Sequence, residues 1–85
     1  MATYKVLYWQ EIPSQVRAED REDEVTLPLA PKFMEHIDRL AVQRGLQGAD
    51  EYLAQWKWSD EEDRDGSARE VAEAVRAELE SRADW

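Results

Sequence analysis

Apolar and polar residues alternate near the start of the chain, and further on the apolar ones recur every three or four positions. In residues 3–10, TYKVLYWQ, Tyr4, Val6 and Tyr8 fall on one side of a strand and Lys5, Leu7 and Trp9 on the other, because successive strand side chains point to opposite faces. Both sets are largely apolar, which suits a central strand or one whose second face is covered. Pro13 lacks an N–H, so a ladder stops, bulges or turns within QEIPS. A second strand is predicted over residues 15–19, with Val16 and Ala18 sharing a face. A third runs over 25–29, where Val25, Leu27 and Leu29 alternate with Thr26 and Pro28. Pro28 ends that strand or places it at an edge. The acid-rich EDREDE of residues 19–24 joins the two as a hairpin connection.

Helical spacing begins after Pro31, a residue suited to the first turn. Phe33, Ile37, Leu40, Ala41 and Arg44 share a side, with Met34 flanking it. Gly45 can adopt the left-handed conformation and Leu46 can fold back on the last turn, as in a Schellman stop. Gly48 is the expected N-cap of a shorter helix, Asp50 and Glu51 favour its positive end, and Tyr52, Leu53 and Trp56 form its apolar edge. The two segments read as a helical hairpin. Trp58 begins a short extended piece in the irregular, acidic KWSDEEDRDGS. Ser67 and Glu70 then make a capping box before a last helix striped with Ala68, Val71, Ala72, Val75 and Leu79, with Glu78 and Arg82 as an i,i+4 pair.

These elements predict an α+β fold in a single domain, residues 1–85. A small antiparallel sheet of about three strands, residues 3–29, packs against helices at 31–45, 49–57 and 67–82. The expected core is Val6, Tyr8, Val16, Val25, Leu27, Phe33, Ile37, Leu40, Leu53, Trp56, Val71, Val75 and Leu79. Eighty-five residues bury only roughly 60–65% of their unfolded surface, so stability should be modest.

Charge narrows the function. Twenty Asp and Glu against eleven Lys and Arg give a net charge of −9, a field that repels phosphate backbones and anionic lipids. No nucleic-acid or membrane partner is therefore expected. No apolar run approaches the ~20 residues of a membrane span, and MATYKVLYW does not read as a secretory signal. The lack of cysteine fits a cytoplasmic protein, and removes disulfides, thiolate metal sites and a cysteine nucleophile.

Candidate chemistry is sparse. With Gly66 as the sharp-turn glycine of a calcium loop, Glu61, Asp63 and Asp65 take the first ligand positions, but the twelfth falls on Ala72. The acids read instead as solvated charge ahead of a helix N-terminus. His36, the single histidine, falls off its helix's apolar stripe and reads as a surface residue. Glu11, beside Trp9, Ile12 and Pro13, is the best candidate for a carboxyl with a raised pKa. No serine sits in a nucleophile elbow and no glycine-rich phosphate loop exists. No cofactor or metal is implied. Trp9, Trp56 and Trp58 exceed what so small a core needs, and tryptophan favours interaction surfaces. Trp85, at the terminus, is expected to fray unless a partner or a second copy holds it.

The run YKVLYWQEIPSQVRAED, then VTLPLAPKFMEHIDRLAVQRGLQGADEYLAQWKW, then DGSAREVAEAVRAELE resembles a bacterial family known as the virulence factor domain. The same residues are similar to the C-terminal part of conserved virulence factor C proteins, where the domain follows helical repeats. YW-x-x-IP-x-QV, RGL-x-G-x-x-x-YL and DGS are the most specific parts. RAEDREDEV stands where the family pattern has a tighter, glycine-containing turn. The resemblance transfers no catalytic residues. Two functions follow as expectations. One is a non-catalytic binding or accessory module with a protein partner and a face formed by Trp9, Glu11, Ile12, Pro13, Ser14 and Trp58. The other is a small enzyme or enzyme subunit acting on a metabolite, with Glu11 or His36 as acid–base and a link to one-carbon or methyl metabolism implied by the resemblance.

Overall fold

The computed structural model describes residues 1–83, so Trp85 and the expectation attached to it lie outside the described residues. Strands β1 (Ala2–Trp9), β2 (Ile12–Glu19) and β3 (Glu24–Pro28) precede helices α1 (Pro31–Gln43) and α2 (Ala49–Leu53). Strands β4 (Trp56–Trp58) and β5 (Glu62–Arg64) and helix α3 (Ala68–Ser81) follow. β1 is central: β2 and then β3 lie on one side, while β4 and β5 share the other, all antiparallel. The fold is α+β, with five strands among the described residues rather than about three.

The two added strands come from segments whose composition argued for a helix end and a loop. The second helix stops at Leu53, short of the predicted residue 57, because Trp56, Lys57 and Trp58 pair with Trp9, Tyr8 and Leu7. The charged Glu62, Asp63 and Arg64 pair with Tyr4, Thr3 and Ala2. Charged side chains on an edge strand guard it against further pairing. Between these strands the register along β1 shifts by one residue, the signature of a bulge. Ser59 bridges it: Val6 N–H donates to Ser59 Oγ and Ser59 N–H to the Val6 carbonyl, both at 2.8 Å.

A second bulge absorbs the proline break. Leu7 stands opposite Gln15 and Tyr8 opposite Pro13, which leaves Ser14 as the extra residue. The second strand therefore starts at Ile12, and only Gln10 and Glu11 turn the hairpin. Gln10 has φ +53°, a left-handed conformation unusual for a side-chain-bearing residue.

The three predicted helix boundaries that rest on capping appear, with Gly48 at the N-cap of α2. Gly45 has φ +70°, Leu46 N–H donates to the Ala41 carbonyl at 2.8 Å and Gly45 N–H to that of Val42 at 3.2 Å. Those two bonds are the Schellman pattern. At α3, Glu70 N–H donates to Ser67 Oγ at 3.2 Å and Ser67 N–H to Glu70 Oε1 at 3.0 Å, closing the capping box.

Helix α3 lays its alanine-rich stripe on the first three strands. Val6, Val16 and Leu27 form one cross-strand row beneath it, and Tyr4, Ala18 and Val25 another. The Cα envelope is only 16 Å in its thinnest direction, enough for one sheet and one helix layer. Within the predicted core, Leu53 is corrected: it is 64% exposed, because α2 ends after little more than a turn and Tyr52 makes the inward contacts. Tyr8, Val25, Leu27, Leu40 and Trp56 are half-buried, while Trp9, Ile12 and Leu29 join the buried set. The expected Glu78–Arg82 pair is also corrected. Glu78 takes the guanidinium of Arg64, at 2.5 and 3.2 Å, across the helix–sheet junction.

Candidate functional site

The hairpin end of the sheet gathers most of the residues marked for a binding face. Trp9 is fully buried there, and so is Ile12 at 5% exposure. The Trp9 indole N–H donates to the Tyr52 carbonyl at 3.0 Å. Its ring lies 5.7 Å from that of Tyr52, which meets Trp56 edge-on at 6.0 Å. Trp9 and Ile12 are therefore core residues, not surface. A central strand's last residue ends under a helix that the local sequence could not place. Pro13 and Ser14 are half-buried at the bulge, and Glu11 is exposed.

Glu11 is a turn carboxylate gripped by Arg44, at 2.7 and 3.2 Å. The Arg44 guanidinium also bonds the Gln10 amide oxygen, and the Gln10 amide nitrogen bonds Gln55 Oε1 at 3.1 Å. The left-handed Gln10 is thus tied down from two helix ends. The Arg44 hydrogen bond, with smaller help from the backbone and the nearby His36, holds the Glu11 carboxyl below its ordinary range. That is the opposite of the raised pKa a general acid needs at neutral pH. His36 is half-buried, not a fully exposed surface residue.

Trp58 is the marked aromatic residue that the structure leaves on a surface, at 41% exposure. Alternation along β1 turns Lys5 and Leu7 away from α3, and Trp58 stands directly opposite Leu7. The Lys5 ammonium lies 4.8 Å from the centre of the Trp58 ring, a cation–π distance. Gln15 and Arg17 continue this outer face on β2, as cross-strand partners of Leu7 and Lys5. A shallow depression of about 130 Å³ beside Lys5, Arg17 and Glu61 is lined by strand and loop residues alone. An apolar centre of Leu7 and Trp58 with a charged rim is the pattern of a protein contact patch.

A family model described as Virulence factor matches residues 7–84. The chain belongs to the virulence factor family. Comparisons with curated proteins and with solved structures gave no match. The family match takes in the Trp9 hairpin, the Gly45 helix stop and the Ser67 capping box.

One residue that organises this virulence factor domain, Asp20, was not singled out in the sequence. Asp20 Oδ1 accepts the N–H groups of Glu22 and Asp23 at 2.8 and 2.7 Å, and Oδ2 accepts that of Ala68 at 2.8 Å. One carboxylate folds the β2–β3 connection and also satisfies a free donor of α3. These bonds, that from Ala68 foremost, keep its pKa low. The Asx-turn preference of Asp was the available signal for the first role. The second, like the reach of Arg44 to Glu11, joins segments distant in the chain. In the acidic segment, Glu62–Arg64 is a ladder strand and not a calcium loop. Among the described residues no three His, Cys, Asp or Glu stand close enough to hold a metal, and no helix is long and apolar enough to cross a membrane.

Proposed function

We propose that this virulence factor domain is a non-catalytic accessory module that binds a protein partner through the outer face centred on Leu7 and Trp58. The observation that carries the reading is the exposed Trp58 ring, stacked by Lys5 and set beside Leu7 on a face turned away from α3. A tryptophan so placed supplies a large contact area with few rotors to immobilise. The low pKa of Glu11 supports a non-catalytic role. The net charge of −9 supports a protein rather than a nucleic acid or lipid partner, and the cysteine-free composition supports a cytoplasmic setting.

Site-specific photo-crosslinking in the native cell tests the reading. A photoreactive residue at Leu7 should yield one discrete protein adduct that Trp58→Ala abolishes, while the same residue at the exposed Arg69 on α3 should not. Identical adducts from both positions, or none from Leu7, would overturn it.

A further inference from the structure

On the helix side of the sheet, α3 covers β2 and β3 more fully than β1, and the uncovered strip of β1 opens a groove of about 420 Å³. That volume lies within the range of about 300–1,000 Å³ typical of ligand sites. Tyr4 and Tyr8 form its aromatic wall, Val6 and Leu79 its apolar floor, and the Ser59 bulge one rim. The bulge exists because β4 and β5 are out of register, so the same irregularity that interrupts the edge shapes the groove.

Charge selects the occupant. The charged lining residues are Asp60, Glu62, Glu78 and Arg82, three acids to one base. Glu78 is neutralised by Arg64, and Arg82 caps the end of α3 four residues beyond it. Asp60 and Glu62 face the groove from the strand side, and among the described residues no Lys, Arg or His forms an ion pair with either. Tyr4 donates its hydroxyl to Glu62 Oε2 at 2.9 Å, which orients that carboxylate beside the phenol ring. Two carboxylates without a cationic partner among the described residues, in a groove that also carries Tyr4, Tyr8, Val6 and Leu79 and in a molecule of net charge −9, favour a cation with an apolar stem.

We infer that this groove receives a lysine or arginine side chain from an extended, basic segment of a protein partner, its stem lying on Val6 and Leu79 and its charge between Asp60, Glu62 and Tyr4. The inference rests on the reading of the domain as a protein-binding module, and it assigns that module a second contact on the opposite side of the sheet.

An NMR titration tests it, with a nine-residue glycine/serine peptide carrying one central lysine or arginine and the same peptide with norleucine as the control. The cationic peptide should shift the amides of Tyr4, Val6, Tyr8 and residues 59–62 with saturation, and norleucine should not. The double variant Asp60→Asn, Glu62→Gln should weaken binding at least tenfold with unchanged amide dispersion. Asp50→Asn, Glu51→Gln, which removes as much charge elsewhere, should leave affinity within twofold. Equal weakening by both double variants would mean non-specific attraction and overturn the inference. So would the absence of localised shifts, or n-butylammonium binding as tightly as the peptide. Peptide binding does not depend on Trp58, so loss of the Leu7 crosslink with retained peptide binding would remove the outer-face reading alone.

Discussion

The indole N–H of Trp9 donates to the backbone carbonyl of Tyr52 at 3.0 Å, and this bond joins the last residue of the central strand to the short helix α2. The contact satisfies the one polar atom of the largest fully buried side chain in the domain. Trp9→Ala should cost about 3–5 kcal/mol, the range for removing a buried aromatic side chain, which is a large share of the stability of so small a domain. Trp9→Phe should keep most of the packing but remove the shorter of two bonds to the Tyr52 carbonyl, which retains the Gln55 N–H at 3.3 Å. Chemical denaturation should therefore rank wild type above Trp9→Phe and Trp9→Ala lowest. A Trp9→Ala protein as stable as wild type would contradict the burial described.

Gln10 supplies a second test. It holds φ +53° in a two-residue turn, where a side chain costs roughly 1 kcal/mol relative to glycine. Gln10→Gly and Gln10→Ala both lose the side-chain bonds to Arg44 and Gln55, so they differ in the strain at φ +53° and in the freedom of the unfolded chain, of which the strain is the larger. Gln10→Gly should be the more stable of the two by about 1 kcal/mol, read from their denaturation midpoints.

Capping at α3 is testable in the same way. Ser67 and Glu70 satisfy each other's free backbone donors. Ser67→Ala should cost about 1 kcal/mol, a fall in Tm of about 4–8 °C for a domain of this size. Asp20→Asn should also lower Tm, because an amide supplies one acceptor oxygen where three N–H groups converge on two. Hydrogen exchange at the Ala68 amide should then quicken.

Acid should destabilise the domain in a defined window. Glu11, Asp20, Glu24, Glu70 and Glu78 all have pKa values lowered by hydrogen bonds, from Arg44, the Ala68 backbone, Arg17, the Ser67 backbone and Arg64 respectively. A lowered folded pKa means the unfolded chain binds protons first, so the stabilisation is complete above the ordinary carboxylate range and disappears as pH falls through the lowered values. Tm should thus hold from neutrality to about pH 5 and drop below about pH 4. At the other extreme the Tyr4 hydroxyl is raised by its bond to Glu62, and Tyr52 by burial. Their stabilisation is complete below about pH 10 and is lost above it. A flat Tm between pH 5 and pH 3 would contradict the acid side.

Carboxyl NMR distinguishes the accessory module from an acid–base enzyme. Glu11 should titrate below the usual range, and Arg44→Met should raise it toward that range, since the Arg44 hydrogen bond is the largest influence on it. A Glu11 pKa near neutrality would restore it as a candidate general acid.

Where recognition is local, the sequence was legible. Gly45 with Leu46 gives a helix stop through bonds spanning six residues, and Ser67 with Glu70 gives a start through bonds spanning four. Alternation placed Tyr4, Val6 and Tyr8 on one face, and the three do line one groove together. Trp58 remained on a surface while Trp9 and Ile12 did not. Nothing in their neighbourhoods separates the three, because what covers Trp9 is Tyr52, forty-three residues away.

Periodicity and capping thus determined the α+β class, the first three strands, the capped ends of the first and last helices, and most of the buried stripe. These depend on side-chain direction and on hydrogen bonds within a turn, which neighbouring residues decide. Tertiary structure alone made a strand of Glu62–Arg64, turned the Pro13 break into a bulge, paired Glu78 with Arg64 instead of Arg82, and joined Arg44 to Glu11. All but the bulge, whose partner Tyr8 lies five residues from Pro13, need a partner brought from a distant segment, and the backbone ladder or charge that the partner offers outweighs the preference of the local residues.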